Sequence, residues 1–370
     1  MLPVFLTGAL VLPMRAELGF DRSALGLAVS FFFAASAFGS SFLGRAAQVI
    51  GATRAIRVAA LMSIAALLGV GFLVQTWLAL VVCLLLAGFA NALAQPAANL
   101  ALSQGIPLRR QGFAFGIKQS AIPVATLLAG IAVPVFAVAL GWRWAFVAGA
   151  ALALVASVLV PKLDRPVKAV KGSGKIRRSA RPALLVLATT GALGAGASNA
   201  MGVFLVDAAV DNGWGESSAG ILLSVGSVAA LLVRVTSGWA IDRRQAMGLA
   251  SVAALMALGS VGFFLLAFIA QVPGLYVLGA VIAFGAGWGW PGLFHFSVVH
   301  AHRSAAATAT GFVQSGVFAG GVLGPVIFGY VVDSMSYTAA WAFGGVAMLL
   351  SAAGVATSGR MHTKLSDNTN

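Results

Sequence analysis

The sequence contains few charged residues and very few acidic ones. Of its 370 residues only 9% are charged, nine are Asp or Glu, and 60% are hydrophobic. Soluble domains carry about 25% charged residues, because a surface in contact with water needs polar groups. The mean hydropathy of +0.98 is also far above that of a soluble protein. The composition therefore excludes an ordinary soluble domain and indicates an integral membrane protein.

The motifs of common catalytic and metal sites are also missing. Cys83 is the single cysteine, so an intrachain disulfide and Cys-based zinc or redox sites are excluded. The phosphate-binding pattern G-x-x-x-x-G-K-[ST] fails at Gly174-Lys175, because Ala169 precedes this pair and Ile176 follows it. No H-E-x-x-H motif or paired-carboxylate constellation occurs. We therefore expect no enzyme activity, no metal and no cofactor, and any transport would be passive or driven by a gradient.

Long apolar runs are abundant. A hydrocarbon core about 30 Å thick needs roughly 20 apolar residues per helix. Twelve spans are predicted, near residues 1–14, 23–43, 58–75, 78–103, 113–139, 144–160, 183–207, 218–240, 247–270, 274–299, 307–332 and 338–357. We expect an all-α membrane protein with a six-helix bundle at 1–160, a linker at 161–182, a second bundle at 183–358 and a tail at 359–370. The first span is short, and we expect its helix to extend upstream of Met1.

The Lys and Arg residues are unevenly divided between alternate loops. If the linker is cytoplasmic, eighteen lie on its side, three lie on the other side, and Lys118 and Arg234 fall inside spans. Positive charge collects in cytoplasmic loops, so we predict a multi-pass inner-membrane protein with both termini in the cytoplasm. The net charge of +14 follows from this topology, and no nucleic-acid partner is expected. The expected surroundings are the lipid bilayer, and the expected state is a monomer.

The two halves of the chain repeat each other. Residues 18–26 match residues 212–220 at an offset of 194, and the offset drifts to 197 further along. Other matched pairs are Gly44 with Gly238, Pro96 with Pro291, Gln119 with Gln314 and Trp144 with Trp341. Because an even number of spans separates the repeats, the two bundles are predicted to run parallel.

Two motifs carry a resemblance to a known family. The stretch from Gly238 to Arg243 resembles the loop signature G-x-x-x-D-R of the major facilitator superfamily, and 320–325 resembles its glycine–proline motif. The matching loop of the first half departs from the signature, with Gln48 where an aspartate is expected. The resemblance covers essentially the whole chain and implies alternating access between two six-helix bundles. It also implies that Gly238, Asp242 and Arg243 form a conformational latch; the alternative is a solvated charge cluster.

Three charged residues are predicted at membrane depth, where charge is costly and each is a candidate site. Lys118 has the uncharged Val313 as its repeat counterpart, and this added cation suits recognition of an anionic group. Arg234 is a second candidate charge site. For both cations the alternative is that the side chain reaches the interface, as long basic side chains do. Asp207 could carry a proton during transport, or it could lie among headgroups beside Asp211.

A polar stripe runs along the fourth span. Asn91, Gln95 and Asn99 are four residues apart, hence on one helix face, and such a face must contact protein or a water-filled cavity. In the tenth span, Trp288, Trp290 and His295 surround Pro291 and could line the same cavity. The alternatives are that the amides only join helices and that the aromatic rings only pack. Pro96 and Pro291 are expected to bend or break their helices at equivalent depths.

These observations predict a secondary transporter for a small molecule. We hypothesise a small organic anion or amphipathic metabolite that contacts Asn91, Gln95, Asn99, Lys118, Gln119, Trp288, His295 and Gln314. A proton or another ion could drive the transport. The alternative within the class is a proton-coupled drug exporter, although no first-half span has a carboxylate at its middle. A membrane enzyme or receptor would need a catalytic constellation or an added soluble domain, and the sequence offers neither.

Overall fold

In a computed structural model, residues 1–107, 110–160, 181–244, 248–301 and 306–367 are described, and the regular elements they form are helices. The first half contains α1 (Leu2–Ala9), α2 (Val11–Leu18), α3 (Arg22–Ile50), α4 (Ala52–Phe72), α5 (Trp77–Gly105), α6 (Gln111–Gln119), α7 (Ala121–Ala132), a π-helical turn (Val133–Ala137) and α8 (Trp142–Leu159). The second half contains α9 (Arg181–Asp211), α10 (Glu216–Arg244), α11 (Leu249–Phe268), α12 (Pro273–Gly285), α13 (Pro291–Ala301), α14 (Ala306–Ser334) and α15 (Tyr337–Asp367).

These helices match the predicted spans. Among the described residues, ten helical segments are long and apolar enough to cross a membrane. The other two predicted spans are built from shorter pieces, because α1 and the start of α2 take the place of the first, and α12 with α13 takes that of the tenth. The polar segment after 358 continues the last helix as far as Asp367.

Local signals fix where the helices begin and end. The Asp21 carboxylate accepts a hydrogen bond from Ala24 N at 2.7 Å, and the Thr76 hydroxyl accepts one from Ala79 N at 3.2 Å, so both residues cap helix N-termini. At Gly19 the chain leaves α2 with a φ of +69°, a conformation that favours glycine.

Proline breaks one helix of the repeat and leaves its counterpart continuous. α13 begins at Pro291, after a turn at 286–290 that separates it from α12. Of the bend or break expected at Pro96, the break does not occur, because α5 runs through this residue from Trp77 to Gly105. The interruption in the first half lies one span later, at Ser120, between α6 and α7. The two halves therefore differ in where they carry irregular backbone.

Small residues bring the two halves into close contact. We call the end of the molecule where α8 and α9 meet residues 161–180 the linker face, and the other end the opposite face. A Cβ atom added to Gly26 of α3 would lie 2.2 Å from the carbonyl oxygen of Pro325 in α14. One added to Gly220 of α10 would lie 2.6 Å from the carbonyl oxygen of Gly130 in α7. Both contacts lie towards the opposite face, where the halves are packed backbone against backbone.

Candidate functional site

A chain of hydrogen-bonded polar side chains links three helices of the first half. Lys118 Nζ, in the last turn of α6, donates to Gln95 Oε1 of α5. Gln95 Nε2 in turn donates to Asn91 Oδ1 at 3.3 Å, and Asn91 Nδ2 donates to the hydroxyl of Ser36 in α3 at 3.2 Å. The helical spacing of Asn91 and Gln95 thus links three helices and turns the Lys118 ammonium into the protein rather than towards the interface.

Arg234 lies in the interface between the halves and is buried, with 2% of its surface exposed. From α10 its Nε and Nη2 donate to the carbonyl oxygen of Trp288 at 3.0 and 2.7 Å. Its Nη1 donates to the carbonyl oxygen of Gln119 in the other half. The guanidinium also lies 6.0 Å from the centroid of the Trp288 ring. Like Lys118, the Arg234 side chain is therefore turned into the protein and does not extend towards the membrane–water interface.

Proline explains why backbone carbonyls are open to side chains here. The oxygen of Gln119 would normally accept from the residue four positions on, but that residue is Pro123, which has no N–H. Pro291 likewise leaves the Gly287 oxygen without a helical donor, and the Ser198 hydroxyl donates to it at 2.7 Å. A backbone oxygen inside a membrane protein needs a partner, and side chains supply one at both prolines.

His295 and Gln314 complete this group from the second half. His295 Nδ1 lies 2.7 Å from the carbonyl oxygen of Pro291, while its Nε2 is buried and has no hydrogen-bond partner. The Gln314 side chain interacts with the ring and the Lys118 charge acts on it, while Nε2 has no hydrogen bond within the described residues. Residues from α5, α6, α10, α13 and α14 therefore meet in one place. We call Gln95, Lys118, Arg234, His295 and Gln314 the central cluster.

The central cluster carries two uncompensated positive charges. Lys118 and Arg234 are close enough for the charge of one to act on the other. The salt bridges found among the described residues involve other side chains, and neither cation takes part in one. Paired charges are the usual arrangement in a protein interior, because an isolated charge loses its hydration. Two cations without a carboxylate form a place where an anion would be attracted.

The other predicted cavity residues lie outside this hydrogen-bonded group. Asn99 is exposed, two turns beyond Asn91 on α5. Gln119 takes part through its backbone oxygen. The ring of Trp288 is buried between Phe5 and Phe284, with centroid distances of 5.5 Å to each, and that of Trp290 is buried beside Phe294. Both indole rings pack against aromatic neighbours, and the backbone oxygen of Trp288 accepts from Arg234.

Asp207 lies in a buried ion cluster near the opposite face, where it is 1% exposed. Its Oδ2 accepts from Arg22 Nε at 2.8 Å, from Arg15 Nη1 at 3.3 Å and from the Tyr337 hydroxyl. Arg22 also donates to Asp211 at 2.6 Å. The arginines belong to the first half and the aspartates to the second, so the cluster joins the halves. This placement differs from a headgroup-exposed carboxylate.

The residues that resemble a latch lie near the linker face. Gly238 is buried, and its Cα would lie 3.3 Å from a Cβ atom added to Gly116 of α6. Helices of the two halves therefore touch at this glycine pair. The helix backbone continues through Asp242 and Arg243, whose side chains lie outside the described residues.

Comparison with known proteins decides the family. The family model of the Major Facilitator Superfamily matches residues 2–257 and 186–364, which together cover nearly the whole chain. The chain belongs to this superfamily. It is thus a multi-pass membrane protein of a transporter family, as its motifs predicted. No curated protein matches the sequence significantly.

A solved structure shows the same superfamily fold. The crystal structure of a mutant of the nucleoside transporter NupG superimposes with a TM-score of 0.73. The match covers 96% of this chain and 97% of that one, at 16% sequence identity. At this identity the likeness establishes the architecture, with two six-helix halves, and leaves the substrate open.

Sequence reasoning missed several partners in this superfamily member. Ser36, Ser198 and Tyr337 carry no local motif, and each is recruited by a residue far away in the chain. The sequence identified Arg15 and Arg22 only as cations of loops at the opposite face and did not predict their ion pairs with Asp207. A usable signal was present for Gln119, because a proline four residues later always frees a helical carbonyl.

Proposed function

We propose that this protein is a secondary transporter that carries a small organic anion by alternating access between its two halves. The observation that supports this proposal is the pair Lys118 and Arg234, which form no salt bridge among the described residues. An anion bound between them would neutralise both charges and would contact both halves at once. Binding of this kind couples the substrate to the relative position of the halves.

The polar residues around the two cations support a carboxylate as the anionic group. Gln95 and Gln314 offer amide groups from opposite halves, and Asn91 holds Gln95 in place at 3.3 Å. Amides and cations donate hydrogen bonds to a carboxylate. We therefore assign Asn91, Gln95, Lys118, Arg234, His295 and Gln314 to the substrate site, and Gly238, Asp242 and Arg243 to the latch.

The charge distribution of the loops supports an inner-membrane location with the linker face and both termini in the cytoplasm. In this orientation the bundles 1–160 and 183–358 are joined by a cytoplasmic linker at 161–182, and 359–370 lies in the cytoplasm. The buried ion cluster at Asp207 would then close the site towards the outside. In the proposed orientation this conformation would be that of a carrier sealed on its outer face.

The charges of Lys118 and Arg234 also disfavour two other substrate classes, nucleosides and lipophilic cations. NupG is named as a nucleoside transporter, but a nucleoside is uncharged and would leave Lys118 and Arg234 without a counter-ion. A drug exporter for lipophilic cations would have to bring a third positive charge beside two existing ones, which Coulomb repulsion in a low dielectric opposes.

A binding screen with the purified full chain tests the proposal. Melting temperature is measured in detergent with acetate, succinate, benzoate, uridine and tetraphenylphosphonium. A carboxylate should stabilise the wild-type protein, by about 2.7 kcal/mol at 100 times its Kd. In Lys118→Gln we expect this stabilisation to fall strongly, because half of the neutralising charge is gone. Counterflow in proteoliposomes with the best carboxylate should decline in parallel.

Arg57→Gln is the matched control, since Arg57 is an exposed cation on the linker face. It should keep the response of the wild type. Stabilisation by uridine or tetraphenylphosphonium alone would contradict the proposal, and so would an equal carboxylate response in wild type and Lys118→Gln.

A further inference from the structure

The hydrogen bond of His295 fixes the chemical character of its free nitrogen. Nδ1 lies 2.7 Å from the carbonyl oxygen of Pro291, and a carbonyl oxygen can only accept. Nδ1 must therefore carry the proton. In a neutral imidazole the other nitrogen, Nε2, is then a hydrogen-bond acceptor with a lone pair.

This acceptor is buried and has no partner. Nε2 is among three buried polar side-chain atoms in the described chain that lack a hydrogen bond; the others are Trp290 Nε1 and Asp207 Oδ1. Trp290 packs inside its own half, against Phe294 and beneath Gly194. Asp207 Oδ1 belongs to a carboxylate whose other oxygen is already bound by two arginines. His295 Nε2 is the one in the central cluster.

The charges around the ring favour the neutral form. Lys118 acts electrostatically on His295, and Lys118 itself lies close to Arg234. A third positive charge in this place would be repelled by the first two. With the proton on Nδ1, Nε2 is available to a donor brought by the ligand. A buried acceptor without a partner is costly, so a ligand that supplies the donor is favoured over one that does not.

We propose that the transported anion carries a hydroxyl group, which donates to His295 Nε2 while the carboxylate lies at Lys118 and Arg234. This inference rests on the proposed function and names the substrate class more narrowly, as a hydroxylated carboxylate. An ammonium group could also donate to Nε2, but it would bring positive charge beside two cations. The same repulsion disfavours amino acids as substrates, so the ligand group that donates to Nε2 should be uncharged.

Matched pairs of ligands that differ by their hydroxyl groups test the inference. Affinity of the purified full chain is measured for lactate against propionate, malate against succinate, and gluconate against hexanoate. In the wild type, the hydroxylated member of at least one pair should bind about tenfold more tightly or better, because a site that hydrogen-bonds a hydroxyl rejects the analogue without it.

In His295→Phe that ratio should fall to about one, while the affinity for the deoxy member stays the same or improves. In His295→Gln part of the ratio should remain, since the amide oxygen can also accept. Ser297→Ala is the control on the same helix, because the Ser297 hydroxyl donates to Leu293 O of its own helix at 2.8 Å. This variant should keep the wild-type ratio.

The outcomes separate the two proposals. If no carboxylate binds to the wild type, the anion function itself fails. If carboxylates bind but hydroxylated and deoxy members bind equally in every pair, the function stands and the role of His295 is overturned. Retention of the full ratio in His295→Phe would overturn it as well. The wild-type comparison needs no variant, so a folding defect in His295→Phe would not prevent the test.

Discussion

Arg234 shows at the residue scale why a single charged side chain can be kept inside a membrane protein. Three of its N–H groups meet the carbonyl oxygens of Trp288 and Gln119. A planar guanidinium can serve both oxygens at once, whereas the lysine ammonium is a point charge on a flexible stem. These carbonyls satisfy the hydrogen bonds of Arg234 without neutralising its charge. The residue is therefore both a connector of the halves and an attractor for anions.

Glu17 carries a pH dependence that can be measured. Arg143 Nη1 donates to its carboxylate at 2.6 Å and Trp142 Nε1 donates at 2.9 Å, and these bonds hold the pKa of Glu17 below its usual value of 4.5. A lowered pKa means that the ion pair stabilises the folded state above about pH 4.5 and ceases to do so as the pH falls through the folded pKa. Because Glu17 is 47% exposed, the contribution is less than about 1 kcal/mol.

We therefore expect Glu17→Gln to lower the melting temperature slightly at pH 7, and we expect this difference to shrink as the pH is lowered below about 4.5 through the folded-state pKa of Glu17. The measurement is a series of thermal melts in detergent over this pH range. Glu216→Gln is the control, because Glu216 is exposed and forms no salt bridge among the described residues. A Glu17→Gln difference that grows on acidification would contradict the assignment.

At the scale of elements, the broken helices depend on side chains for their hydrogen bonds. Between α12 and α13 the oxygen of Gly287 has no helical donor because of Pro291. The hydroxyl of Ser198 in α9 lies 2.7 Å from this oxygen and also 2.7 Å from the Gly194 oxygen of its own helix, and it can donate to Gly287. Removal of that hydroxyl leaves a buried carbonyl unpaired. We expect Ser198→Ala to destabilise the protein by about 1–3 kcal/mol, a cost typical of an unsatisfied buried group.

A matched variant separates this cost from the loss of any buried hydroxyl. Ser260 is also buried in the second half, but it donates to Ala257 O of its own helix. Ser260→Ala should therefore cost clearly less than Ser198→Ala in the same thermal melts. Equal losses for the two variants would mean that the Gly287 carbonyl does not depend on Ser198.

The same elements show how far the sequence predicts the fold. Apolar length and the loop motifs were enough to predict the all-helical membrane fold and the superfamily correctly. Pro96 was expected to bend or break its helix and does not break it, because a proline in a helix removes one hydrogen bond and need not open a turn. Whether a helix breaks depends on what its neighbours offer, as Ser198 does for the turn before Pro291. The residues that supply such hydrogen bonds are distant in the sequence, so the sequence around a proline does not show whether its helix breaks.

The central cluster was predictable in part for the same reason. Helical spacing placed Asn91 and Gln95 on one face, and the broken symmetry at Lys118 marked an added charge. Asn99 follows the same spacing but is exposed in the structure, since a stripe can run beyond the packed region. The partners of Arg234 are backbone oxygens; Pro123 marks the Gln119 oxygen as free of a helical donor, but nothing in the sequence shows that Arg234 reaches it. The full set of residues in the central cluster could therefore be identified only from the way the two halves pack together.

At the scale of the whole molecule, the opposite face is sealed by charges that match across the halves. The sequence assigns three cations to this face, and each of them is in a salt bridge. Arg15 and Arg22 pair with aspartates of the second half, whereas Arg143 pairs with Glu17 inside the first half. Close to these, Ser23 N and its hydroxyl both donate to Asp333 at 2.6 Å. Opening this face must separate buried charges of opposite sign, which is costly unless water reaches them.

Asp207→Asn should therefore shift the protein towards a state that is open at the opposite face. Removing one partner of a buried pair costs about 3 kcal/mol or more, which changes a two-state ratio about 100-fold. Spin labels at Gln75 and Met335, exposed residues of the two halves at this face, would report the opening as a longer distance in a Cys83→Ala background. Asp211→Asn is the control: Asp211 is 48% exposed, so its loss should produce a much smaller shift. Identical distance distributions in wild type and Asp207→Asn would show that the cluster does not hold this face closed.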